Sequence, residues 1–203
     1  MRLKPLARRI MKSRVYQLGA RPNAANVDDE ANFSKAAVRL LPAETLLDAI
    51  AQTLGSRPSL KAQRFPRRGA DVPFPDSMRA EQLPGARMGG EFLKAFGKPD
   101  RLLTCECERS DSVTLAQAFQ LINGEQVRRM IEDRDNRIGR ALAAGQAPDV
   151  ILDELYLSAL CRAPSDAERQ GALAHLRAAS DARKAWEDIA WAIVNSKEFL
   201  LRN

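Results

Sequence analysis

The sequence predicts a mainly α-helical fold, irregular at first and closing on an antiparallel helical bundle, with a long Pro/Arg-rich loop between. Three observations carry this. Ala, Leu and Arg are prominent while aromatics make up only 5% of 203 residues, a balance that favours helix. Apolar residues recur at three- and four-residue spacing through most of the remainder. Pro58, Pro66, Pro73, Pro75 and Pro84 are gathered into one stretch with Arg57, Arg64, Arg67, Arg68, Arg79 and Arg87, where neither helix nor central strand can run on. The chain divides into residues 1–54 with the N-terminal helices, 55–104 with that loop and a short helix, and 105–203 with a cysteine-bearing segment and the bundle. Together these form one domain, long enough to bury roughly 70% of its unfolded surface.

Residues 3–18 read as an amphipathic helix, with Leu3, Leu6, Ile10, Met11, Val15 and Leu18 on one face and Arg8, Arg9, Lys12 and Arg14 between them. A helix patterned for burial from its first residues suggests a chain cut from something longer. Residues 19–32 are polar and loop-like, and Asn32 or Ser34 is placed to cap a short helix through Leu40. Pro42 interrupts, and Ala43 to Leu54 resumes with Leu46, Leu47, Ile50 and Leu54 inward and Gly55 as the stop. A short extended piece is expected near Val72 to Phe74, then a helical turn or two at Glu91 to Phe96.

Thr114 with Gln117 has capping-box spacing, so a helix is expected to about Ile122. Helices follow at Glu125 to Asp133, with Val127, Met130 and Ile131 inward, and at Asn136 to Ala144, with Ile138 and Leu142 inward. Pro148 opens the bundle, where Ile151, Leu152, Leu155, Tyr156, Ala159 and Leu160 form one stripe. Ser165 and Glu168 form a second box before a helix that should bury Leu173 and Leu176. Trp186, Ile189, Ala190, Ile193 and Val194 then follow a core-facing pattern that Phe199 and Leu200 continue.

The net charge of +6 is unevenly placed: residues 1–104 hold 19 Lys/Arg against 10 Asp/Glu, and the rest reverses the sign. A basic front half suits anion binding through Arg64, Arg67 and Arg68, or pairing with the acidic back half. Nucleic acid is not the expected partner, because no helix-turn-helix, zinc-finger or RNP-like signature accompanies the charge. No apolar run reaches the ~18 residues of a transmembrane segment. The opening lacks the apolar core of a signal peptide.

The chemically densest stretch is Cys105-Glu106-Cys107-Glu108-Arg109. If extended, it places both thiols on one side and both carboxylates on the other. Cys105 and Cys107 could share a metal, but a structural zinc site needs four ligands and neither Cys161 nor His175 is spaced to complete it. A redox pair with Arg109 favouring thiolate is a second reading. The structural alternative, buried thiols with a Glu–Arg pair behind them, is the one adopted. Glutamates two apart on one strand do not face each other across a substrate as paired acid and base must, and His175 has no nucleophile beside it.

Several blocks carry a family resemblance. They are Ile10 to Leu18, Asn26 to Ser34, Leu41 to Ile50, Phe92 to Pro99, Cys105 to Ser110, Thr114 to Gly124 and Asn195-Ser196-Lys197-Glu198-Phe199-Leu200. Together they resemble the C-terminal domain of unknown function of large planctomycete proteins that carry a cytochrome-c-like domain near the N-terminus. Members of that family are exported multidomain proteins, which implies a role at the cell envelope in polysaccharide use or electron transfer. The resemblance implies upstream domains of the full-length protein, or another envelope protein, as partners. It assigns haem c to an upstream domain and no cofactor to this chain. Localisation would be exported or envelope-bound for a full-length member, and cytoplasmic for this chain made alone. The Leu155-Tyr156 to Arg162-Ala163-Pro164 and NSKEF portions also resemble helical repeats of other bacterial surface proteins. The expected role is therefore a non-catalytic interaction or scaffold module. An enzyme or redox/metal component built on Cys105–Arg109 and a basic anion- or nucleic-acid-binding protein are the alternatives.

Overall fold

The computed structural model describes residues 3–29, 31–58, 60, 63–64, 71–72, 78–83, 90–96 and 124–202, and these are mainly helical. They fall into two compact units, one of residues 1–40 with 201–203 and one of residues 41–200.

In the larger unit, helix α2 (Ala43–Leu54) is the element on which others converge. It touches a 3-10 turn (Ala80–Gln82) and helices α3 (Gly90–Ala95), α4 (Glu125–Glu132), α5 (Arg137–Ala143) and α6 (Pro148–Leu160). Its predicted stripe, Leu46, Leu47, Ile50 and Leu54, is fully buried, and each such aliphatic side chain contributes about 1.5–3 kcal/mol over an exposed one. Gly55 ends the helix at φ 60°, returning its own N–H and that of Ser56 to the Gln52 and Ala51 carbonyls. A carboxylate on the same helix organises a distant segment: Asp48 accepts the Ala80 and Glu81 N–H groups at 2.7 and 3.2 Å, capping the 3-10 turn.

Helices α6, α7 (Asp166–Ala178) and α8 (Ala182–Val194) each touch the other two, and α9 (Lys197–Leu200) packs on α6 and α8. Ile151, Leu152, Leu155 and Tyr156 of α6 are buried, as are Trp186, Ile189, Ala190, Ile193 and Val194 of α8. The Ser165–Glu168 capping box forms as read. Helix α7 departs from expectation: Leu173 and Leu176 are only half-buried, and the helix holds no buried residue. It is an outer helix, covered on one side only. Leu142 is likewise half-buried, while Ile138 and Ala141 face the core.

In the smaller unit, helix α1 spans Leu3–Met11, shorter than the 3–18 expected. Beyond it the Ser13 hydroxyl accepts the Tyr16 N–H at 3.3 Å and the Gln17 amide donates to the Met11 carbonyl at 3.2 Å, so turns replace further helix. The helix expected through Leu40 does not form. The Asp29 carboxylate takes the N–H groups of Ala31, Asn32 and Ser34 and the Ser34 hydroxyl, and Phe33 adopts φ 53°. These bonds, the Ser34 hydroxyl first, hold the Asp29 carboxyl well below the usual carboxylate range. These local bonds offer the Ala31, Asn32 and Ser34 N–H groups an alternative to helix, and the Ala36 N–H goes to the Gly19 carbonyl. Strand β1 (Arg39–Leu40) instead pairs antiparallel with β4 (Leu201–Arg202). In the larger unit, β2 (Gln63–Arg64) pairs antiparallel with β3 (Asp71–Val72), which includes the first residue of the extended piece expected at 72–74; Pro73 and Phe74 lie outside the described residues.

Candidate functional site

The densest ionic cluster among the described residues lies where α6, α7 and α9 meet. Helix α6 ends at Cys161 with φ 56°, and the chain turns sharply into Arg162. Arg162 then divides its guanidinium between two carboxylates. Its Nη1 and Nη2 donate to Glu168 at 2.9 and 2.8 Å, and its Nε and Nη2 donate to Glu198 at 2.7 Å each. Nη1 also reaches the Ala163 carbonyl at 3.0 Å, and the guanidinium stands 5.5 Å from the centre of the Tyr156 ring. Glu168 is held in turn by the Ser165 N–H and hydroxyl, both at 2.7 Å, because it is the far end of the α7 capping box. Bidentate Arg–carboxylate geometry fixes direction as well as charge.

The electrostatics follow the hydrogen bonds. Arg162 lowers the Glu168 carboxyl to about 2, and it lowers Glu198 as well. The paired carboxylates, Glu198 first, raise the Arg162 guanidinium. Burial, reinforced by the charge of Glu168, pushes the Tyr156 phenol up. A hollow of about 260 Å³ opens beside the cluster, lined by Tyr156, Glu168 and Glu198 together with Gly171, Ala172 and Ile193.

Other arginines do similar work. Arg169 joins Asp149 at 3.0 Å and Asp153 at 2.5 Å, tying α7 to α6. Arg137 donates to the Thr53 and Gln52 carbonyls at 2.9 and 3.2 Å, placing a cation on the negative end of α2. Arg183 of α8 reaches the Ile131 and Asp133 carbonyls, both at 2.9 Å. Asp133 accepts the Ser56 hydroxyl at 2.5 Å, which holds its carboxyl below the usual range. Each of these charges closes a helix end or bridges two elements.

The site residues singled out from the sequence are not those of this cluster. Cys105, Glu106, Cys107, Glu108, Arg109, Arg67, Arg68 and the expected Thr114 helix lie outside the described residues, and Arg64 is placed only as part of β2. His175 lies 3.3 Å from Asp188, linking α7 to α8. Cys161 is exposed. Among the described residues no group of three His, Cys, Asp or Glu is placed to hold a metal ion, and no helix is long and apolar enough to cross a membrane. The Arg162 cluster was missed although its parts were noted separately. A capping-box Glu three residues after Ser165, with an Arg three residues before it, was the available signal, but nothing local pointed to Glu198.

The cluster is tested by its acid response. Glu168 is depressed on folding, so its contribution is complete above its ordinary value of 4.5 and fades as pH falls towards about 2. Roughly a third of the Arg162 and Glu168 side chains, and 44% of Glu198, remain exposed, which limits the coupling to about 1 kcal/mol. Arg162→Met should therefore lower stability at neutral pH by that order. The difference from wild type should shrink between pH ~5 and ~2 in urea titrations followed by circular dichroism. A difference independent of pH would show that Arg162 acts through packing alone.

Fold and cluster together define a class: a mainly helical protein in which, among the described residues, the densest ionic cluster is a joint between helices. Residues 1–176 match the family described as PSD1, protein of unknown function (DUF1553), and the chain belongs to that family. No curated protein and no solved structure matches it.

Proposed function

We propose that this chain is a non-catalytic interaction or scaffold module of an exported multidomain protein, of the planctomycete type that carries a cytochrome-c-like domain. The observation that supports this is the Arg162 joint. The described cluster richest in charge is engaged on both sides, its arginine divided between carboxylates 6 and 36 residues away in sequence. Arg169 repeats the arrangement with Asp149 and Asp153, and Arg137 and Arg183 bridge elements through backbone carbonyls. Family membership supports the domain assignment. The link to export, haem-bearing upstream domains and polysaccharide use or electron transfer rests on the sequence blocks that resemble the larger proteins.

The reading makes Cys105 and Cys107 structural thiols, and thiol labelling of the native protein tests it. Exposed Cys161 should react first, with Cys105 and Cys107 slower by about tenfold or more and titrating at or above the ordinary thiol value of about 8.5. Fast labelling below that pH would overturn the proposal. So would stoichiometric zinc, iron or copper that is lost in Cys107→Ala, since either result would make the segment a working redox or metal centre.

A further inference from the structure

Helix α1 is amphipathic, and among the described residues its apolar face is left exposed. With 3.6 residues per turn, Leu3, Leu6, Ala7, Ile10 and Met11 fall within an arc of about 140°, and Lys4, Arg8 and Arg9 occupy the other side. Such a stripe is the pattern of a buried face. Leu3, Leu6, Ile10 and Met11 are nevertheless between 41% and 71% exposed, and Val15 and Tyr16 beyond the helix are at least 60% exposed. The described residues of the smaller unit include no fully buried side chain, so this unit has no core of its own. A piece of about 40 residues with no cysteine, whose described side chains are all at least partly exposed, gains stability from a surface that covers its apolar stripe.

The charge says which surface. From Leu3 to Val27 the chain carries Lys4, Arg8, Arg9, Lys12, Arg14 and Arg21 and no acidic residue. Arg8, Arg9 and Lys12 line a basic concavity with Pro5 and Ser13. Lys4 borders one edge of the stripe and Arg9 the other, so their aliphatic stems can lie along an apolar layer while the charges reach outward. This is the layout of a helix lying in the plane of a lipid–water boundary, and Tyr16 adds an aromatic suited to that depth. Nine residues bury too little apolar surface to hold a neutral bilayer, so anionic headgroups are needed. We infer that α1 docks on an anionic membrane surface, through its apolar stripe and its basic flanks together. The inference goes beyond the module reading and uses none of its residues.

The test is co-sedimentation of the full 203-residue chain with vesicles of phosphatidylcholine alone, or with roughly a third phosphatidylglycerol. Partition onto the anionic vesicles should be at least about tenfold stronger and should weaken with added salt. The double variant Leu6→Gln, Ile10→Gln keeps the net charge and changes only exposed positions, so circular dichroism should stay that of wild type while partition falls about tenfold. Equal binding by the variant would overturn the inference by assigning the attraction to basic segments elsewhere. Absence of binding to anionic vesicles at low salt would also overturn it. So would capture of soluble polyglutamate with the same dependence on Leu6 and Ile10, which would make the partner an acidic protein.

Discussion

Gly139→Ala should destabilise the protein by about 3 kcal/mol, although helix propensity alone predicts a gain of up to about 1 kcal/mol. A Cβ at Gly139 would overlap the Arg134 carbonyl oxygen and come within 2.9 Å of Arg183 Nη1. The obstruction is backbone, and it belongs to the turn that sets Asn136 in place to cap α5. Relief would require moving that turn, the cap or Arg183, each of which holds further bonds. Gly171, in the middle of α7, is the control. Nothing lies within 4 Å of the Cβ position there, so Gly171→Ala should stabilise by about 0.5–1 kcal/mol. Urea denaturation of both variants decides the matter by sign. A stabilised Gly139→Ala would mean that α5 does not approach the 134 turn as described.

Asn136→Ala should cost about 2–3 kcal/mol in the same measurement. Asn136 is fully buried and serves two helices at once. Its Oδ1 accepts the Gly139 N–H at 2.9 Å, capping the start of α5. Its Nδ2 donates to the Met130 and Ile131 carbonyls at 3.1 and 2.8 Å, closing the end of α4. Ile131 keeps a partner in Arg183 after truncation, whereas the Met130 carbonyl loses the bond Asn136 supplied. Asn136→Asp should recover little: it retains an acceptor for Gly139, but the second oxygen then faces two carbonyl oxygens where a donor is required. Full recovery with Asp would show that the α5 cap alone matters and that the bonds to α4 are incidental.

Helix α2 with its Gly55 stop, the Ser165–Glu168 box and the Trp186 to Val194 stripe were all legible in the sequence. Each is a local pattern in which the physical cause and its consequence lie within a few residues. The outer position of α7 was not legible, because Leu173 and Leu176 satisfy the same spacing rule whether one side of the helix is covered or more. The end of α1 at Met11 was hidden for a related reason. Val15 and Leu18 extend the apolar period, but the Ser13 hydroxyl and Gln17 amide compete for the backbone groups that would carry the helix on. Around Asp29, a run read as an ordinary loop before a helix is a hydrogen-bonded knot, and the chain after it runs on to strand β1 without a helix.

By itself, then, the sequence determined helix as the dominant structure, the residues of the principal core stripes and membership of a family without assigned function. Those properties follow from the spacing of apolar side chains and from short blocks read along the chain. Tertiary structure alone decided which charges on different elements meet. Arg162 and Glu198 are 36 positions apart, and Arg137 lies more than 80 positions from the α2 carbonyls it caps. An ion pair between distant elements leaves no periodic mark on a sequence, because a charged residue on a helix surface has the same spacing whether its partner is water or a distant carboxylate. Only the packing of the helices brings the two ends of such a pair within bonding distance.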